Sequence, residues 1–87
     1  MKQRVGEVTL GYDVRGHGPA LVLLHAFPLD RRMWDETAAA LADRHRVIAL
    51  DFRGFGDSEL APYSLETLAG DVARLLDALG IPVAAVC

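Results

Sequence analysis

Apolar positions along the chain recur with two different periods, and each change of period marks an element. Over residues 5–14, Val8, Leu10, Tyr12 and Val14 alternate with Thr9, Gly11 and Asp13, the pattern of a strand with one face in solvent; a hairpin with residues 4–7 is expected. Residues 15–19 read as a turn. They lead into Leu21, Val22, Leu23 and Leu24, apolar on both faces as a central parallel strand is. After Pro28 and Leu29, Asp30 is placed to cap a short helix in which Trp34, Ala38 and Leu41 recur at i, i+4 and i+7. Residues 47–50 are again apolar throughout and end at Asp51 and a glycine-rich loop.

A second helix is predicted between Ser64, its N-cap, and Gly80, its terminator. Leu65, Leu68, Ala69, Val72, Leu75, Leu76 and Leu79 fall on one face of it. Glu66 lies two residues after Ser64 rather than three, so no strict capping box is expected. The apolar run 81–87 then reads as a parallel strand covered on both faces, with Cys87 as a small buried hydrophobe. Strand, helix, strand, helix, strand from residue 21 onward predicts an α/β fold: a mostly parallel sheet with flanking helices, preceded by an antiparallel hairpin. No repeat or linker interrupts the chain, so residues 1–87 read as part of a single domain without an internal boundary.

Composition agrees with a packed core, since 52% of residues are hydrophobic and 24% charged. The net charge of -3 and the scattering of the basic residues argue against nucleic acid and anionic lipid as partners. The aliphatic run Ala20–Leu24 is far short of the roughly 20 residues that span a bilayer. Residues 1–4 lead into no apolar segment, so no signal peptide is expected, and the one cysteine fits a reducing, cytoplasmic setting. His17 and His45 have no metal-ligand spacing to each other or to Cys87, and no metal site is expected.

Two loops carry the chemical information. His25, Ala26, Phe27 and Pro28 follow the first central strand, and Asp51, Phe52, Arg53, Gly54, Phe55, Gly56, Asp57 and Ser58 follow the second, so both stand at the carboxyl edge of the sheet. Ser58, Asp57 and a histidine have the composition of a hydrolytic triad. The favoured reading is structural: Gly54 and Gly56 permit unusual φ, while Asp51 and Arg53 bond loop backbone. A dinucleotide fingerprint would need Gly or Ala at position 59, which is Glu, and the next helix begins too late to meet a phosphate.

These two loops at this spacing, with Trp34 between them and Leu79, Gly80, Ile81 and Pro82 before the last strand, resemble the α/β-hydrolase fold family. In that family an H-G-x-P-like loop and a D-x-R-G-x-G-x-S loop stand at these places. The resemblance implies an N-terminal portion of such a domain, with the G-x-S-x-G nucleophile elbow directly after Cys87 and all three triad residues outside the 87. It assigns the backbone N–H of Phe27 as one oxyanion-hole donor, gives His25 a structural role, and places Ala26, Phe27 and Leu29 on the substrate side. Ala26 stands where glycine is usual.

The implied activity is cleavage of a small ester, lactone, thioester or related bond through a serine acyl-enzyme, which needs no cofactor. Relatives that use an aspartate nucleophile on carbon–halogen bonds fit the same motifs. Taken alone, the 87 residues are expected to be inactive and to self-associate along the last strand or be complemented by a C-terminal half, as in a split hydrolase. A non-enzymatic module that pairs with a partner through that strand is the alternative.

Overall fold

The computed structural model describes residues 1–87 and holds one five-stranded sheet in the order β1-β2-β4-β3-β5. Strands β1 (Lys2–Val5) and β2 (Val8–Arg15) form an antiparallel hairpin, and β2 pairs antiparallel with β4 (Arg46–Leu50). β3 (Ala20–Leu24) runs parallel to β4 on one side and to β5 (Ala85–Val86) on the other. The fold is therefore α/β, as its pattern predicts. The hairpin turn sits at Gly6 and Glu7, so the first strand is Lys2–Val5 rather than a segment reaching residue 7; Gly6 takes φ 63°, a left-handed value that favours glycine.

The helices lie on opposite faces because β3 and β4 alternate. Leu23, Val47 and Ala49 point to one face and pack with Ala38 of α1 (Asp35–Leu41), flanked by Leu21, Trp34 and Leu41. Val22, Ile48 and Leu50 point to the other, where Leu68 and Leu75 of α2 (Leu65–Ala78) join Val5, Val8 and Leu10 of the hairpin. Each central strand thus feeds two cores, which is why its sequence shows no polar alternation. The chain leaves β3 toward one face and β4 toward the other, and adjacent parallel strands with this divergence leave a crevice at their carboxyl ends.

Asp30 caps the first helical segment, accepting a hydrogen bond from the Arg32 N–H, but its first turn is a 3-10 helix, Arg31–Trp34. Ser64 caps α2, and here a capping box is present after all. Ser64 Oγ accepts from the Thr67 N–H at 3.2 Å while Thr67 Oγ1 accepts from the Ser64 N–H at 2.7 Å, so a threonine hydroxyl supplies what a glutamate at that position would.

Two expectations about burial fail. Leu65 and Ala69 are exposed although they share the apolar stripe, because they line an open cavity instead of packing into the core that buries Leu68. The run 81–87 gives only the two-residue β5, and Val83, Val86 and Cys87 are exposed; β5 pairs with β3, and no helix among these residues covers it. Cys87 is thus no buried hydrophobe here. No helix is long and apolar enough to cross a membrane.

Candidate active site

The two rim loops meet through His25. This side chain is buried, its Nε2 accepts the Phe52 N–H at 3.0 Å, and its Nδ1 lies 3.0 Å from the Ala26 carbonyl. Since a backbone N–H donates to Nε2, the network assigns the ring proton to Nδ1, which donates to Ala26. Both nitrogens are occupied by backbone, so His25 ties one loop to the other and has no free nitrogen with which to carry a proton.

The tie shapes the turn at residues 26–29. Leu29 N–H donates to the Ala26 carbonyl at 2.8 Å across a cis Phe27-Pro28 bond, and the Ala26 N–H meets Met33 Sδ at 3.2 Å. Ala26 does not adopt a positive φ, so the methyl group in place of the usual glycine is accommodated without backbone strain. The Phe27 N–H, by contrast, has no acceptor anywhere in the protein. An amide donor left unpaired next to a cavity is a group available to a ligand.

That cavity has a volume of about 300 Å³ and lies between this loop, Phe52 and the first turns of α2. Leu24, Ala26, Phe27, Leu65, Leu68 and Val72 contribute to its walls, and His25 is its one polar lining residue. Leu29 is half exposed and is not among the lining residues, so of the residues expected on the substrate side only Ala26 and Phe27 face the cavity.

Asp51 anchors the second loop. Its fully buried carboxylate accepts the Arg31 N–H at 2.7 Å and the Asp57 N–H at 2.9 Å, and it pairs with the Arg31 guanidinium. Arg31 also reaches Asp13 at 2.9 Å and Asp57 at 3.1 Å. Burial disfavours the Arg31 charge, but these three carboxylates outweigh it and hold the guanidinium protonated more firmly than usual. Gly56, at φ 51°, passes so close that a Cβ would overlap the Asp51 carboxylate. Ser58 is no nucleophile in this setting: its Oγ accepts the Gly11 N–H at 2.9 Å and donates to the Asp51 carbonyl at 2.6 Å, with no histidine in reach.

Arg53 was expected to bond loop backbone, and it does donate to the Pro62 carbonyl at 3.2 Å. Its main partner is Asp71 of α2, which it grips through Nε and Nη2, both at 2.8 Å. Burial alone would raise the Asp71 carboxyl pKa, yet the bonds from Arg53 and Arg74 hold it below the ordinary carboxylate range. Sequence reasoning missed this pair and Arg31. A signal existed for Asp71: it lies three residues after Leu68 and four before Leu75, so it is an acid in phase with the buried stripe, which demands a buried cation. No group of three or more His, Cys, Asp or Glu side chains is placed to hold a metal ion.

Comparison with known proteins gives concordant results. The profile of the alpha/beta hydrolase fold matches residues 19–86. The chain is 41% identical over 83 residues to a fluoroacetate dehalogenase from Burkholderia sp., covering 87% of this chain and 27% of that protein. The solved enol-lactonase from Burkholderia xenovorans LB400 superposes with a TM-score of 0.93 at 36% identity, covering 100% of this chain and 36% of that one. A thermophilic esterase from Thermogutta terrifontis gives a TM-score of 0.85 at 40% identity, covering 92% and 32%. The chain thus spans between 27% and 36% of the length of these relatives.

Proposed function

The chain belongs to the alpha/beta hydrolase fold family, and from that premise we propose that residues 1–87 form the N-terminal part of one such domain and supply half of its oxyanion hole. The donor is the backbone N–H of Phe27. In this reading the whole protein cleaves a small ester, lactone or related bond through a serine acyl-enzyme, whose nucleophile, acid and base stand outside these residues. The two serines present, Ser58 and Ser64, are held by backbone bonds in a loop and a helix cap, which leaves neither free to attack.

The observation that carries the proposal is the unpaired Phe27 amide beside an apolar cavity, on a loop that His25 fixes from below. A developing oxyanion is stabilised by donors that are already in place and need no reorganisation at the moment of reaction. Because the Phe27 N–H holds nothing in the free protein, removing it costs no intramolecular bond. Phe27 also presents its ring to the cavity, so an apolar acyl or leaving group is the substrate portion that would lie there.

The decisive experiment replaces the amide of residue 27 by an ester linkage in the intact protein, which exchanges N–H for an oxygen that cannot donate. The expected loss in kcat on p-nitrophenyl esters is about 10²- to 10³-fold, with a melting temperature lowered only as far as the ester weakens the Ala26 carbonyl that accepts the Leu29 and His25 bonds. A loss below about tenfold would sink the assignment. The likeness to a dehalogenase supports a second reading in which an aspartate attacks a carbon–halogen bond. Covalent labelling of the intact protein by a serine-directed fluorophosphonate separates the two, since only the serine enzyme takes the label.

A further inference from the structure

Phe27 stands at the centre of an aromatic cluster drawn from three separate segments. Its ring centroid lies 5.0 Å from Phe55, 5.7 Å from Tyr63, 5.8 Å from Phe52 and 6.0 Å from His25. The Phe55 contact is the one near-parallel stack in the cluster, at 23° between planes. Phe55 and Tyr63 are themselves 6.0 Å apart, so these two and Phe27 form a closed triangle with Phe27 at the apex nearest the cavity. The Ala26 carbonyl, in the same peptide unit as the Phe27 N–H, accepts from the Leu29 N–H and from His25 Nδ1, while Phe27 itself donates no hydrogen bond.

Phe55, in turn, is held firmly. Its N–H donates to the Phe52 carbonyl and its carbonyl accepts the Ser58 N–H, both at 3.0 Å, between Gly54 at φ 85° and Gly56 at φ 51°. Those two glycines and the Asp51 anchor turn the loop back on itself, and the side chain that the turn delivers toward the first loop is Phe55. We propose that Phe55, braced by Tyr63, is a positioning residue for the oxyanion donor: the stack fixes the Phe27 side chain and, together with the two bonds to the Ala26 carbonyl, the direction of the Phe27 N–H. This rests on the oxyanion reading given above. It assigns the glycine-rich loop a part in transition-state stabilisation in addition to its structural one.

The test uses the intact protein with p-nitrophenyl butyrate as substrate and butylboronic acid as a tetrahedral-adduct mimic. Phe55→Leu keeps apolar volume and removes the stack. It is expected to lower kcat by about 2- to 10-fold, the range that aromatic pairing energies give, while KM moves by less than about twofold. Boronate affinity should fall by the same factor as kcat, and Phe55→Tyr should restore both. Tyr63→Leu, at a half-exposed position, should produce a smaller change in the same direction and serves if Phe55→Leu does not fold. Unchanged kcat and boronate affinity in a folded variant overturn the proposal, as does a lower melting temperature with boronate affinity intact. A wild-type protein that neither turns over the ester nor takes the phosphonate label overturns the oxyanion reading as well; wild-type turnover with unaffected variants overturns this inference alone.

Discussion

Neutralising Asp71 should destabilise the protein strongly. The carboxylate is fully buried, and the Arg53 side chain facing it is only 7% exposed. In the Asp71→Asn variant the guanidinium keeps its burial and its bond to Pro62 but loses the opposing charge and one of two acceptors held at 2.8 Å. Breaking such a buried pair from one side costs about 3 to 5 kcal/mol, because an uncompensated charge remains inside. At roughly 0.05 to 0.15 kcal/mol per residue, 87 residues account for about 4 to 13 kcal/mol, so the loss is a large fraction of what this part of the fold can supply.

Urea unfolding of the intact protein measures it, with the midpoint falling at constant m. Replacing both partners, Arg53→Met with Asp71→Leu, should recover most of the loss, since a desolvated pair and an apolar pair of similar volume are close in free energy. Arg74 also bonds Asp71, at 3.0 Å, but its half-exposed side chain is worth less than about 1 kcal/mol and cannot replace Arg53. A cost below about 1 kcal/mol for Asp71→Asn, or a double variant no better than the single, would refute this account.

Other substitutions separate scaffold from chemistry. Gly56→Ala forces a Cβ into the Asp51 carboxylate at a positive φ and should lower the melting temperature by more than about 5 °C; a wild-type value would show that the loop can move aside. Ser58→Ala leaves the Gly11 N–H and the Asp51 carbonyl without their bridge and should cost about 1 to 3 kcal/mol in urea unfolding, with kcat preserved within about twofold. A collapse of kcat by many orders of magnitude would instead identify Ser58 as the nucleophile. Acid should destabilise the protein through the buried Asp71 and, to a smaller degree, through Asp30, whose partner Arg32 is largely exposed. Arg32, by side chain and then by backbone, holds the Asp30 carboxyl at about 2 instead of 3.8, and Asp71 is lowered likewise. Folded pKa values below the unfolded ones give stability that is complete above about pH 5 and lost as pH falls from about 4 toward 2; a urea midpoint constant down to pH 2 would contradict this.

The central strands and α2 were legible because their burial is decided by backbone period alone: Leu21, Val22, Leu23 and Leu24 had to be covered on both faces, and Leu68, Val72, Leu75 and Leu79 had to share one. Legibility ended where burial depends on what else is near. The run 81–87 shows that those side chains favour an apolar environment, and says nothing about whether a neighbour within the 87 residues provides it. Leu65 and Ala69 have the helical phase of core residues, yet they are exposed and line a cavity.

The site divides in the same way. That His25 and the glycine-rich loop stand at the carboxyl edge follows from strand order. That His25 binds the Phe52 amide, that Arg53 reaches Asp71, and that Phe55 stacks on Phe27 depend on contacts across 27, 18 and 28 positions of sequence, which local patterns do not encode. The capping box was missed for a narrower reason, since the expected acid at the third helical position is replaced by a threonine whose hydroxyl makes the same bond to the Ser64 N–H.

The carboxylate of Asp51 gathers donors from the start of the helical segment and from its own loop, while its backbone N–H and carbonyl engage Gly11 of β2 directly and through Ser58. None of these bonds can open without loosening the others. In hydrogen-exchange terms, the amides of Gly11, Arg31, Asp51 and Asp57 belong to one cooperative unit and should share one opening free energy, although they are spread over 46 positions of the chain. A single aspartate thereby makes two surface loops and a strand open together or not at all.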